Sequence, residues 1–331
     1  MLFKNRKRYT GVDIGHHSVK VVVIKEERRD IVLEKAFIIK LNKDNNHSIN
    51  NSNNRIKDIL CKISQEDYFK DINITSISSE KIVVKTIKLP EIEESAIKDT
   101  IKLEYENHFP FSLSEAVIKY SVIGKKQNEL EILTVFVPEI DVKNCLELFE
   151  ECGIKLKSIG VQPLALANLV RYNEDYSNVL IADIGQNSIQ LVTVIKQNIE
   201  LVRLIRLKRN RDMRENYTDF VKDKKVKENY LEESVTRDKL IIEIERVIDY
   251  FKLNYKNKNL DTCYLCGGGA YINNLQQEIH SKFKIKTKIL KPFENINFTT
   301  ECIEKSYINK FWSEFSVSFG LSLGEFYHDT Y

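Results

Sequence analysis

Short β-branched runs recur along this chain, and two sets of them share one arrangement. Residues 9–14 and 19–24 are apolar, valine- and isoleucine-rich, and separated by a polar four-residue turn. Residues 179–184 and 189–195 have the same layout. Such runs bounded by Gly, Asn and Ser predict β-hairpins. A third strand is expected after each, at 31–39 and 200–207. Further strands are expected at 72–78, 81–89, 116–123, 129–137, 155–161, 262–265 and 286–290.

The period changes to that of a helix in the stretches between. Ile97, Ile101 and Tyr105 recur four apart, which predicts an amphipathic helix over 92–108, stopped by Pro110. Val142, Cys145, Leu146 and Phe149 share one face of a helix over 139–152, with Gly153 as its stop. Pro163 suits the first turn of a helix over 164–172. A long stripe of Leu240, Ile241, Ile244, Val247, Ile248 and Phe251 predicts a helix over 232–254. A shorter helix is expected over 54–64, and another opening at Ala270 with Ile272, Leu275, Ile279 and Phe283. The Asn-rich stretch 42–54 reads as a loop. The order of elements divides the chain into a first lobe (1–84 and 159–177), an inserted α+β unit (85–158) and a second lobe (178–331). The last helix is expected to pack back toward the first lobe.

Composition narrows the class. A chain of 331 residues with 42% hydrophobic residues can bury two cores. A net charge of +3 gives no bulk argument for nucleic acid. The basic run within 203–227 holds only two aromatic residues, Tyr217 and Phe220, and reads as a solvated face. No apolar run is long enough to cross a membrane. The basic start, Met1 to Arg8, has no apolar segment behind it and does not read as a signal peptide. Six scattered cysteines, Cys61, Cys145, Cys152, Cys263, Cys266 and Cys302, are too few for a disulfide scaffold and favour a reducing compartment. Cys263 and Cys266 have redox-motif spacing but sit in a strand pattern beside three glycines, so a buried, inert pair is expected. Phe311, Trp312, Phe315 and Phe319 fit core packing better than a membrane-lying helix.

The chemistry is concentrated in the two hairpin turns. Each carries Asp-Ile-Gly-x-x-Ser, as Asp13 to Ser18 and again as Asp183 to Ser188. A phosphate-binding turn needs a glycine for close backbone approach, hydroxyl and N–H donors, and an acidic residue that can hold Mg2+ through water. Asp13, Gly15 and Ser18 supply this set, and Asp183, Gly185 and Ser188 supply it again. Lys20 can add positive charge toward a phosphate. His16 and His17 read as turn side chains rather than ligands. A third element is the strand–Gly267-Gly268-Gly269–helix segment, whose helix N-terminus would favour an anionic ligand.

In this order, the three elements resemble the phosphate 1, phosphate 2 and adenosine motifs of the actin, sugar-kinase and heat-shock-chaperone ATPase superfamily. The inserted unit is similar to the extra subdomain of FtsA-type proteins. Within that branch the chain resembles the PilM family of type IV pilus assembly proteins. The likeness rests on Gly11 to Gly15 with Ser18 to Lys20, Leu89-Pro90, Glu104 with Phe109-Pro110-Phe111, Val161 to Ala167, and Leu180 to Gly185. It continues through Arg246, Asp249 to Phe251, Leu265 to Gly269 and Phe319 to Leu323, and so runs nearly end to end.

The resemblance implies an α/β, actin-like ATPase fold: two related lobes with duplicated ribonuclease-H-like cores and an FtsA-type α+β subdomain inserted in the first. It implies ATP and Mg2+ in the cleft, the metal held by Asp13 and Asp183 through water, and slow or absent hydrolysis. It implies a cytoplasmic scaffold at the inner face of the cytoplasmic membrane. Its partners would be the cytoplasmic tail of a PilN-like protein, a PilO-containing inner-membrane complex and the pilus motor ATPases. Two departures stand out. His16 and His17 replace small residues, and Leu207 to Asp212 stands where the family has a Gly-Gly pair beside the nucleotide, which implies weakened affinity. Two other functions fit the same fold. One is an FtsA-like polymerising protein at the membrane. The other is a small-molecule kinase, which needs a carboxylate base that no residue here is singled out to provide.

Overall fold

Valine and isoleucine at successive positions, favoured in strands and buried on both faces, build two central sheets. A computed structural model describes residues 7–27, 30–41, 49–106, 112–173, 178–207, 224–255, 259–299 and 312–324. The first sheet uses β1 (Arg8–Ile14), β2 (Ser18–Glu27), β3 (Asp30–Lys40), β4 (Ile72–Ile77), β8 (Leu156–Val161) and the two-residue β14 (Asn297–Phe298). Their order is β14-β3-β2-β1-β4-β8. The second uses β9 (Val179–Ile184), β10 (Ser188–Ile195), β11 (Asn198–Arg206), β12 (Thr262–Cys266) and β13 (Lys286–Ile289) in the order β11-β10-β9-β12-β13. In both, a three-strand antiparallel meander is extended by parallel strands on the side of its first strand. The sequence repeat is therefore a repeat of topology.

Helices complete the layers. Outside the first sheet, α1 (Ile49–Ile63) and α3 (Glu139–Glu150) cover a core of Val12, Val19, Val21, Leu60 and Phe149. Outside the second, α5 (Lys224–Asn254) and α6 (Leu275–Phe283) cover Leu180, Leu191, Ile244 and Leu265. Between the sheets lie α4 (Gln162–Asn173) and α7 (Ser316–Ser322), in a core that joins Val22, Leu166, Val192, Phe315 and Phe319. The third sheet, β5 (Val83–Pro90), β7 (Glu129–Pro138) and β6 (Ala116–Lys126), is antiparallel and packs α2 (Glu94–Tyr105) against Ile97, Ile101 and Phe136.

The passage of α7 between the lobes depends on small residues. A Cβ on Gly11 would meet Ser318 O at 1.9 Å, and one on Gly320 would meet Ala165 O at 1.9 Å. The buried hydroxyls of Ser316, Ser318 and Ser322 donate back to the carbonyls of Ser313, Phe315 and Phe319. Back-bonding satisfies polar atoms that would otherwise be costly to bury. Phe315 and Phe319 are fully buried, which settles these two aromatic residues as core.

Several local expectations need correction. Helix α1 begins at Ile49, inside the stretch that reads as an Asn-rich loop, because its apolar face finds a sheet to cover. No helix opens at Ala270: the glycines lead into a 3-10 turn, Gly268–Tyr271, and α6 starts at Leu275 after the left-handed Asn274. Cys61 and Cys152, read as thiols, form a disulfide that closes 91 residues and ties α1 to the turn after α3. Helix α3, grouped with the inserted unit by sequence order, buries Phe149 in the first lobe's core. Pro110, Phe311, Cys302 and most of the basic stretch, 208–223, lie outside the described residues.

Candidate functional site

The two Asp-Ile-Gly-x-x-Ser turns close in the same way. Gly15 N donates to Ser18 O at 2.9 Å, and Gly185 N donates to Ser188 O at 2.9 Å. Each turn is also held by its third strand: Leu41 N donates to His17 O, and Leu207 N donates to Asn187 O, both at 2.8 Å. Both aspartates end the first strand of their sheet, pointing toward the junction of the lobes, where Asp13 and Asp183 interact electrostatically.

Charge at this junction is tightly arranged. Lys20 is the cross-strand partner of Asp13, and its Nζ lies 3.0 Å from Asp13 Oδ2. Gln162 Nε2, at the start of α4, reaches Asp13 Oδ1 at 3.5 Å. Asp183 is partly buried. Burial first, then the Asp13 carboxylate, push its pKa up to about 6, against the pull of Lys20 and of a hydrogen bond from the Cys266 thiol. Burial alone would lower the Lys20 pKa, but Asp13, Asp183 and Glu314 together hold it above its ordinary value. Glu314, on the 3-10 turn Trp312–Phe315, is itself pushed up by burial and drawn down by Lys20 and Lys40. Nothing in the local sequence marks Glu314, because its neighbours come from the other end of the chain.

The glycine triplet has two distinct roles. Gly267 has φ +76°, and a Cβ there would lie 2.5 Å from Asp183 Oδ1. A Cβ on Gly269 would lie 2.2 Å from Ile184 Cγ2. These two glycines let the turn pack on the second hairpin. Only Gly268 faces open space. Ser313 clamps the turn: Gly267 N donates to Ser313 O at 3.0 Å and Ser313 Oγ donates to Gly267 O at 3.1 Å. Cys263 and Cys266 are both buried, and their spacing along β12 sends them into different cores.

A cavity of about 670 Å³ lies between the lobes. Its lining includes His16, Gln162, Asn187 and Ser188 from around the two turns, and Val83 and Val84 from the small sheet. The Gly267 to Gly269 turn does not line it. Lys20 is held by Asp13 rather than standing open to the cavity. Among the described residues no cluster of three or more His, Cys, Asp or Glu side chains could hold a metal ion. Two carboxylates, Asp13 and Asp183, meet at the lobe junction, and carboxylate oxygen is the donor type that Mg2+ takes, with water and phosphates completing its shell. Among the described residues no helix is long and apolar enough to cross a membrane.

Comparison with known proteins places this geometry. The family model for type IV pilus assembly protein PilM matches residues 11–326. The solved PilM-PilN type IV pilus biogenesis complex matches with a TM-score of 0.79 at 18% identity, over 95% of this chain and 97% of that one. MreB 5 of Spiroplasma citri bound to AMPPNP matches with a TM-score of 0.50 at 13% identity, over 98% of this chain and 97% of that one. No curated protein sequence matches. The fold is that of the actin-like ATPases.

Proposed function

The chain belongs to the PilM family of type IV pilus assembly proteins, and from that membership we propose that it is a nucleotide-binding scaffold of the pilus assembly platform. ATP sits between the lobes. The cytoplasmic tail of a PilN-like membrane protein docks in the first lobe beside the inserted sheet. Through that tail the scaffold joins a PilO-containing inner-membrane complex and the motor ATPases, at the inner face of the cytoplasmic membrane.

The observation that carries the nucleotide part is the doubled turn, with both copies closed by the same two hydrogen bonds and both aspartates meeting at the lobe junction. In this reading the hydroxyls of Ser18 and Ser188 donate to phosphate oxygens, and Gly15 and Gly185, whose own N–H groups close the turns, leave room for the phosphate to approach the backbone. Asp13 and Asp183 would hold Mg2+ through water, and the ion would supply positive charge against the phosphates. Lys20 shares its charge between Asp13 and a phosphate. Gly268 does not line the cavity, and in this reading the ligand's nucleoside end extends beyond it to the open space at that glycine. Turnover is slow, because attack on the γ-phosphate needs a positioned base or water-orienting group. Glu80, the one acidic residue among the described cavity lining, is already ion-paired with Arg206.

The test uses a peptide of the PilN-like tail, titrated into the full chain with and without ATP·Mg2+. The scaffold reading expects a stable complex; no binding under either condition refutes it. A denatured extract of the purified protein, assayed for ADP and ATP, tests the ligand separately.

A further inference from the structure

The cavity between the lobes contains a single lysine or arginine among its described lining residues, Arg206. Arg206 is the last residue of β11 and the direct cross-strand partner of Ser188, the hydroxyl of the second phosphate turn. Cross-strand partners share a face, with Cβ atoms about 4.5–5.5 Å apart. A guanidinium from that position therefore spans the space over the Ser188 hydroxyl. Its planar fork suits a phosphate group.

That guanidinium is now turned to a different acceptor. It pairs with Glu80, on the connection between β4 of the first lobe and β5 of the small sheet. Glu80 also lines the cavity, so the pair spans from one lobe to the other across it. Both side chains remain substantially exposed, which makes the pair weak and exchangeable. Further along the same stretch of chain, Thr86 Oγ1 of β5 donates to Ile199 O, near the start of β11, at 2.6 Å. The second lobe thus holds β5 through Thr86 and the segment leading into β5 through Glu80.

We propose that Arg206 is a phosphate-contacting residue of the cleft and that Glu80 is its built-in competitor: a phosphorylated ligand takes the guanidinium from Glu80 and frees the segment leading into the small sheet. This rests on the nucleotide reading of the cleft and adds to it a specific residue and a regulatory contact. It also accounts for the missing Gly-Gly pair beside the second turn, since a side-chain cation then does what close backbone approach does elsewhere.

The experiment is titration of a fluorescent ATP analogue with Mg2+ into the full chain and four variants, with thermal melting as a check of folding. Glu80→Gln removes the competitor and is expected to tighten binding about two- to five-fold, the range of an exposed ion pair. Arg206→Gln is expected to weaken binding, Arg206→Lys to weaken it less, and the double variant to match Arg206→Gln. A wild type that binds, with Glu80→Gln unchanged or weaker, or Arg206→Gln unchanged, overturns the proposal and leaves the nucleotide reading standing. If neither wild type nor Glu80→Gln binds, the nucleotide reading falls and this proposal falls with it.

Discussion

Lys20 and Asp13 face each other across the first hairpin, with Nζ 3.0 Å from Oδ2 and side chains only 15% and 5% exposed. Removing one member of such a pair leaves an uncompensated buried charge, at a cost of about 3–5 kcal/mol. Lys20→Met is therefore expected to lower the unfolding free energy by that amount in urea titrations at pH 7.5. Lys20→Met with Asp13→Asn should recover most of it. If the double variant is as unstable as the single one, the loss comes from packing and not from charge.

Asp183 imposes a pH dependence of a definite sign. Its folded pKa, about 6, lies above the ordinary value of 3.8, so the folded state binds the proton more tightly than the unfolded state. The stability this contributes is complete below pH 4 and is lost as pH rises through 6. In nucleotide- and Mg2+-free buffer, Asp183→Asn is expected to flatten that decline. At pH 7.5 it should be more stable than wild type by up to about 3 kcal/mol, if the amide is accommodated. Urea unfolding of both proteins at pH 5 and 7.5 measures the difference. Equal pH slopes for the two proteins would assign the dependence elsewhere.

The glycine turn should separate folding from binding. Gly267→Ala and Gly269→Ala force a Cβ into Asp183 or Ile184, so both are expected to lower the melting temperature by several degrees. Gly268→Ala meets nothing within 4 Å and should melt as wild type does. If Gly268 faces the ligand, its alanine variant loses nucleotide affinity with no loss of stability. Equal melting temperatures across the three variants would contradict the packing described here.

The disulfide Cys61–Cys152 closes a long stretch of chain and restrains the unfolded state. Reduction is expected to lower stability by up to about 4 kcal/mol. Cys61→Ala with Cys152→Ala should make the protein insensitive to reductant. The remaining described thiols should react slowly: burial pushes Cys145 up to about 11 and Cys263 up to about 12, and Cys266 is also raised by burial. Thiol counting with and without denaturant, before and after reduction, checks both points. Fast native alkylation of Cys263 would be incompatible with this core.

What the sequence reveals about the site follows the range over which residues act. Asp13 and Asp183 are legible because each is set by its own turn, and the repeat of that turn is visible. Glu314 and the Ser313 clamp on Gly267 are not legible, because their partners lie far along the chain. The same holds for Lys20, which reads as a cation free for phosphate until its position opposite Asp13 is seen. It holds also for Arg206 and Glu80, which share no motif.

The periodicity of the chain by itself determined the hairpins, most helices and the doubled topology, since these depend on local alternation of apolar residues and on short turns, while the order of its short motifs carried the resemblance to the family. Tertiary structure alone decided which glycines serve packing and which face open space, where α6 starts, that Cys61 meets Cys152, and which charges neutralise one another at the lobe junction. Those outcomes depend on contacts between segments many residues apart, where a few ångströms in the placement of α7, or of a turn such as Gly267 to Gly269, determine whether a side chain finds a partner, a wall or an open cavity.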